Sequence, residues 1–366
     1  MKTIRIGAGA GYSGDRIPPA AELADKGELD YLVFECLAER TIALAQLERS
    51  KDSQLGFDPL LADRMEAVLA SCMRQGVKII TNMGAANPEA AGREVIRVAH
   101  ALGLQHLKVA VVLGAASPGN MGQAMARRFA AEGARVLVAG RHSSALNKLA
   151  AEIGGTAALC DITAKAQVEA LANLAVATYG RIDIAVNCAG WGLIAKLLDT
   201  TEEELDRITA LQFKGPYFFF QAFVGRMAQS GGGSVITMTS ASTKALLWHH
   251  AAYIGTKSGT DAVMRCFANE FGVKGVRVNA IAAGFTETPM TEAVARMPGL
   301  ADAFVKEYPM GRLGTVDDVA NAALWLASDE CFVTGEVLQV NGGLTLRRNP
   351  STREINASMA AARAAT

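Results

Sequence analysis

The chain carries no excess of either charge: 36 Lys and Arg against 36 Asp and Glu in 366 residues, with no runs of one sign. Nucleic acid and anionic membrane surfaces need a basic face, so neither is expected as a partner. No apolar run is long enough to cross a bilayer and no secretory leader is apparent, which predicts a soluble, cytoplasmic protein. The six cysteines are scattered, mostly in apolar segments, with no C-x-x-C and no Cys/His spacing for zinc. A disulfide framework and a metal site are both unexpected, and buried thiols are the plainer reading.

What the chain does have begins with Tyr253-Ile-Gly-Thr-Lys257 and Ser240 thirteen residues upstream. Tyr and Lys four apart share one helix face. A free phenol has a pKa of about 10 and exchanges protons poorly at neutral pH. A cation beneath it favours the phenolate, which suits a general acid/base, and the Ser240 hydroxyl can hold a carbonyl against it. An isolated Tyr-x-x-x-Lys is more often a solvated helix face, so the rest of the chain must decide.

A strand, Lys108 to Leu113, runs into Gly114-Ala-Ala-Ser117-Pro-Gly119-Asn-Met121-Gly122 and then a helical pattern from Gln123 to Ala131. This is the layout of a dinucleotide phosphate cradle, in which glycine admits the pyrophosphate and the helix dipole favours its charge. Further apolar strands follow at Ala134–Ala139, Ile182–Asn187, Val235–Ser240, Val276–Ile281 and Glu336–Val340, separated by helical stretches. The alternation predicts an α/β, Rossmann-type doubly wound parallel sheet covered on both faces.

Residues from about 105 to 348 resemble the short-chain dehydrogenase/reductase family. The resemblance rests on the glycine-rich turn, Asn187-Cys-Ala-Gly190, Ser240, Tyr253 with Lys257, and Thr334-Gly335…Asn341-Gly-Gly343, in that order. It implies that Tyr253 exchanges the proton of a carbonyl or alcohol oxygen, that Ser240 polarises that oxygen, and that Lys257 lowers the tyrosine pKa and holds the nicotinamide ribose. It places Asp161 and Ile162 near the adenine, Asn187, Ala189 and Gly190 along the cofactor cleft, and Gly284, Thr286 and Thr288 near the nicotinamide carboxamide. Homotetramers or homodimers are usual in that family. Four positions depart from its pattern. The glycine spacing of 114, 119 and 122 is two residues longer, Gln212 stands where an asparagine often relays protons, Cys188 replaces a second asparagine, and Ala283 replaces a proline. Enoyl reduction is disfavoured, because members with that activity space Tyr and Lys seven apart and position 260 is Thr.

The second strand ends in Ala139-Gly140-Arg141, with no acid to grip the ribose hydroxyls. Arg141 suits a 2′-phosphate, and a charge-assisted contact of about 1.5–3 kcal/mol favours NADP(H) over NAD(H) by roughly 10- to 150-fold; NAD(H) remains open. The expected activity is carbonyl/secondary-alcohol interconversion on an apolar small molecule, a 3-oxoacyl thioester or a terpenoid. The opposing reading is a cofactor-binding protein with little turnover. Apolar residues at Leu246-Leu-Trp248, Trp191, Met290, Met297, Leu300 and Phe304 suit a greasy substrate beneath a flexible lid over Phe285–Met310, or else core or subunit interface.

Residues 1–104 form a separate expectation. Thr3 to Ile6 reads as a strand, followed by Gly7-Ala-Gly9-Ala-Gly11-Tyr-Ser-Gly14 as a loop. Gly9, Gly11 and Gly14 match G-x-G-x-x-G, yet Pro18-Pro19 stand where a nucleotide cradle is already helical. The stretch resembles the N-terminal part of the acyclic terpene utilisation protein A family, up to about residue 112, through Ile6–Gly11, Asp30–Glu39 and Thr81–Pro88. It is expected to be a truncated, three-stranded α/β appendage, with Lys108–Val112 taken by the reductase sheet. Residues 349–366 read as a tail in which Ser351-Thr-Arg-Glu354 caps a short helix that packs on a neighbouring subunit.

Overall fold

A computed structural model describes residues 3–102, 104 and 108–364. The chain divides into two compact units, Met1–His106 and Leu107–Thr366, and the expected boundary at 104/105 touches residues outside those described.

In the first unit, β1 (Ile6–Ala10), β2 (Tyr31–Phe34) and β3 (Lys78–Thr81) form a parallel sheet in the order β1-β2-β3. The glycine-rich stretch differs from its expectation as a loop: Gly7 to Ala10 are strand. Added Cβ atoms at Gly7 and Gly9 would lie 2.5 Å from Leu29 Cδ1 and 2.6 Å from Phe34 Cε1, so these glycines make room for neighbouring side chains. Helices Pro18–Lys26, Leu61–Gln75 and Pro88–Ala101 pack side by side. Their core includes Leu32, Phe34, Met65 and Val68. Ile6 and Ile80 stay exposed. Arg64 is wholly buried, and its Nη2 donates to the carbonyls of Ser13 and Asp15 at 2.9 Å each, fixing the loop after β1.

In the second unit, β4 (Val109–Leu113), β5 (Arg135–Gly140), β6 (Thr156–Leu159), β7 (Ile184–Asn187), β8 (Gly233–Ser240), β9 (Val276–Ala283) and β10 (Val337–Val340) form one parallel sheet ordered β10-β9-β8-β7-β4-β5-β6. β4 and β7 are buried along their whole length, as strands covered on both faces must be. One face packs on Phe219, Phe220, Phe223 and Met264, the other on Met125, Phe129, Val319 and Leu326. The strand order reverses between β4 and β7, and such a switch point opens a crevice at the carboxyl ends of the strands. Among the described residues no helix is long and apolar enough to cross a membrane.

Removing Phe34, whose ring fills the space left by Gly9, is expected to cost the first unit about 3–5 kcal/mol. Limited proteolysis of Phe34→Ala would then cut within residues 3–102 faster than in the wild type, and equal rates would refute the packing account.

Candidate active site

The carboxyl ends of β4, β5, β7, β8 and β9 border a cleft of about 480 Å³. At one end lie Gly114, Ser117, Met121 and Gly122, where helix Met121–Ala131 begins. Asn120 caps that helix: its Oδ1 accepts from Gln123 N at 2.9 Å and its Nδ2 donates to the Gly114 carbonyl at 2.7 Å. Gly114 takes φ +93°, and a Cβ there would lie 2.6 Å from Ala189 N. A Cβ on Gly122 would lie 2.7 Å from the Gly114 carbonyl oxygen. Two glycines thus bring the turn against β7 and clear the helix N-terminus, which is what a pyrophosphate requires.

Arg141, exposed, and Asp161 line the same cleft. Burial raises the Asp161 pKa, but hydrogen bonds from Thr163 N and Oγ1 and the charge of Arg141 outweigh it, and the carboxylate titrates below its ordinary value. Ile162, Ala189 and Gly190 complete this wall, and Gly284, Thr286 and Thr288 form the opposite one. Thr291 Oγ1 donates to Thr286 O at 2.6 Å and accepts from Thr288 N at 3.0 Å, so the three threonines make one braced loop.

Ser240, Tyr253 and Lys257 meet at the far end. Ser240 is the last residue of β8, and its Oγ accepts from Ser242 N at 3.2 Å and lies 2.8 Å from Ser242 Oγ. Tyr253 and Lys257 are one turn apart on helix Ala251–Phe271. Lys257 Nζ donates to Met238 O at 2.7 Å and lies 5.9 Å from the Tyr253 ring centre. Burial drives the lysine pKa down to about 8, against opposing pulls from Asp261 and Cys188. Burial also raises Asp261 to about 6 and the Cys188 thiol to about 12.

The expected lowering of the tyrosine pKa by Lys257 is not found in this geometry. Burial pushes the Tyr253 phenol up, and only the hydroxyl of Ser240 opposes it. Lys257 Nζ is committed to the Met238 carbonyl rather than to the phenol oxygen.

Three expected site residues do not line the cleft. Asn187 is buried; its Oδ1 accepts from Ala189 N at 3.0 Å and so shapes the loop that does. Gly119 lies outside the lining with φ +76°, serving the turn. Gln212 sits in a π-helical stretch, Ala210–Lys214, where its Nε2 donates to Trp191 O and its backbone carbonyl accepts from Thr260 Oγ1 at 2.6 Å. It braces Trp191, which faces the cleft, and its buried Oε1 has no partner within the protein. Sequence reasoning missed Asn120, whose place before a helix carried a capping signal.

Ser240 and Tyr253 also border a second cavity of about 380 Å³, walled by Leu247, Phe285, Val294, Leu300 and Phe304. Phe285–Met310 is therefore no featureless lid. It holds helices Glu292–Ala295 and Leu300–Val305, and Leu300, Phe304 and Tyr308 are buried. His249 (φ +63°) and His250 line this cavity, and burial lowers the His250 pKa.

Residues 114–345 match the profile of the family described as enoyl-(acyl carrier protein) reductase. Residues 4–173 match that of the acyclic terpene utilisation family protein AtuA, which runs well beyond the expected end near 112, through strands and helices of the second unit. A D-threitol dehydrogenase of Mycolicibacterium smegmatis is 35% identical over 66% of this chain and 94% of its own. A 3-oxoacyl-[acyl-carrier-protein] reductase of Thermotoga maritima is 34% identical over 65% and 98%. A mitochondrial borneol dehydrogenase of Lavandula x intermedia is 34% identical over 65% and 91%. A solved short-chain type dehydrogenase/reductase from Mycobacterium ulcerans superposes with a TM-score of 0.65 at 29% identity, over 69% of this chain and 97% of that one.

Lys257 sets a sign for pH dependence. Its folded pKa of about 8 lies below its ordinary 10.5, so between these values the unfolded chain binds more protons and stability rises with pH. Wild type is expected to gain on the order of 1–3 kcal/mol relative to Lys257→Met between about pH 7.5 and about pH 9.5. Urea denaturation checks this, and a constant difference would refute the buried ammonium.

The order of the motifs, the seven-stranded sheet and the matched profile agree, and the chain belongs to the short-chain dehydrogenase/reductase family, as an NAD(P)(H)-dependent oxidoreductase acting on CH–OH and C=O groups.

Proposed function

We propose that this protein is an NADP(H)-dependent reductase/dehydrogenase interconverting an apolar ketone and its secondary alcohol, with Tyr253 as general acid/base. The observation that carries the reading is that Ser240 and Tyr253 border both cavities, one suited to a dinucleotide and the other to an apolar small molecule. When bound, the nicotinamide supplies or accepts the hydride. The chain's own residues do the rest. Ser240 Oγ and the Tyr253 phenol both hydrogen-bond the substrate oxygen, fixing the carbonyl carbon toward the cleft. Tyr253 gives its phenolic proton to that oxygen in reduction and takes it back in oxidation. A raised phenol pKa suits the donor role. Lys257 beneath it supports the phenolate that remains and reaches the ribose side of the cleft, while Gln212 keeps Trp191 in place. Gly114, Ser117, Met121 and Gly122 would hold the pyrophosphate, Arg141 would pair a 2′-phosphate, and Thr286 and Thr288 would hold the carboxamide.

Tyr and Lys four apart support carbonyl chemistry over the enoyl reduction in the profile's description. Thr260 gives its hydroxyl to the Gln212 carbonyl, so position 260 has a structural task. Substrates in the names of relatives range from polyols to borneol, and the apolar wall favours the latter kind, or a 3-oxoacyl chain.

NADPH and NADH consumption with a panel of ketones and 3-oxoacyl thioesters tests the reading. Wild type is expected to turn over with NADPH, and Tyr253→Phe to lose at least about 100-fold in kcat. Arg141→Ala is expected to reduce the preference for NADPH about tenfold or more. Binding of NADPH by wild type without turnover of any carbonyl would overturn the proposal in favour of a cofactor-binding protein.

A further inference from the structure

The second cavity is closed on one side by a part of the chain that lies past residue 345, where the family profile ends. Asn349, Pro350, Thr352 and Ile355 line it, from the start of helix Thr352–Ala364. The tail folds back on its own unit. Asn349 Nδ2 donates to Ala245 O at 2.5 Å, beside the Ser240 turn. The Arg348 guanidinium makes paired bonds of 2.7 and 2.6 Å to Glu354 and lies 3.5 Å from Glu307. Ser351 and Glu354 form the expected reciprocal cap. Ile355 and Met359 pack on the buried cluster of Leu300, Phe304 and Leu344.

The closest approach is at Gly299. Its φ is +78°, and a Cβ there would lie 2.4 Å from Ser358 O and 2.9 Å from Ala362 Cβ. Helix Thr352–Ala364 is therefore seated at a distance only glycine permits. A wall held by a glycine contact, an amide anchor and an ion-pair cluster is a fixed part of the pocket.

The lining has a second property. Among its residues there is no Asp, Glu, Lys or Arg; the polar side chains are hydroxyls, two imidazoles, one indole and one amide. A carboxylate or phosphate on the substrate would find no lysine or arginine to pair with, and burying one unpaired is costly.

We infer that the C-terminal segment Asn349–Ala364 is the wall that sets substrate size, with Ile355 its determining contact, and that the substrate is a compact, uncharged, mostly apolar ketone or secondary alcohol. The inference rests on the function proposed above and narrows its substrate class.

Full-length wild type, Ile355→Trp and Ile355→Ala are assayed with NADPH on cyclohexanone, the larger bicyclic ketone decalone, and acetoacetyl-CoA, with NADPH affinity measured in parallel. Wild type is expected to prefer the ketones. The decalone-to-cyclohexanone ratio of kcat/KM should fall about tenfold or more in Ile355→Trp and rise in Ile355→Ala, with NADPH affinity unchanged. A tail with a purely structural role would lower both ketones together. If Ile355→Trp no longer binds NADPH, the Ile355→Ala ratio decides. An unchanged ratio, or wild type acting on acetoacetyl-CoA alone, overturns this inference and leaves the reductase standing. NADPH binding with no turnover of any of the three overturns the reductase itself.

Discussion

A lysine ammonium buried out of water is the constraint around which the site is organised. Lys257 has one protein hydrogen bond, to the carbonyl of Met238 near the end of β8, with Asp261 one turn further along its helix. Such a group is tolerated only where its partners are fixed. The bond ties helix Ala251–Phe271 to β8, and that tie brings Tyr253 beside Ser240 at the strand's end. Burial that lowers the lysine also raises the phenol, so the same enclosure that positions the pair sets their proton affinities against each other.

The sheet supplies the frame. Seven parallel strands bring their carboxyl ends to one edge, and the reversal of order between β4 and β7 leaves room there for a nucleotide. The second cavity is built differently, from Phe285–Met310 and the C-terminal helix, outside the regular sheet. The larger cleft thus rests on the ends of the sheet strands, whereas the second cavity rests largely on segments outside the sheet.

The first unit shows what happens when two α/β patterns share a chain. Its three strands stop short of the strand that would extend them, because β4 pairs with β5 and β7 instead. A central strand has two edges, and both are taken. The AtuA profile nonetheless runs on to residue 173, through β4, β5 and β6 of the second sheet. Exposed Ile6 and Ile80 are the visible cost of a parallel sheet with so few strands.

By itself the sequence determined the parallel α/β class, the glycine cradle at Gly114–Gly122 and the Ser240, Tyr253, Lys257 constellation, because these depend on spacing within a strand, a turn or a helix. Local pattern also carried the C-terminal cap at Ser351 and Glu354. Only the tertiary structure decided that Gly7–Ala10 is strand, since the reason lies across the sheet in Leu29 and Phe34. Only it turned Asn187 and Gln212 into braces for the cleft loop, through partners at Ala189, Trp191 and Thr260. That burial pushes the phenol up was not legible from spacing, because helix periodicity gives the distance to a charge but not the burial of either group. And the tail's return to the substrate pocket depends on one glycine more than fifty residues upstream of Ile355, a contact no local pattern records.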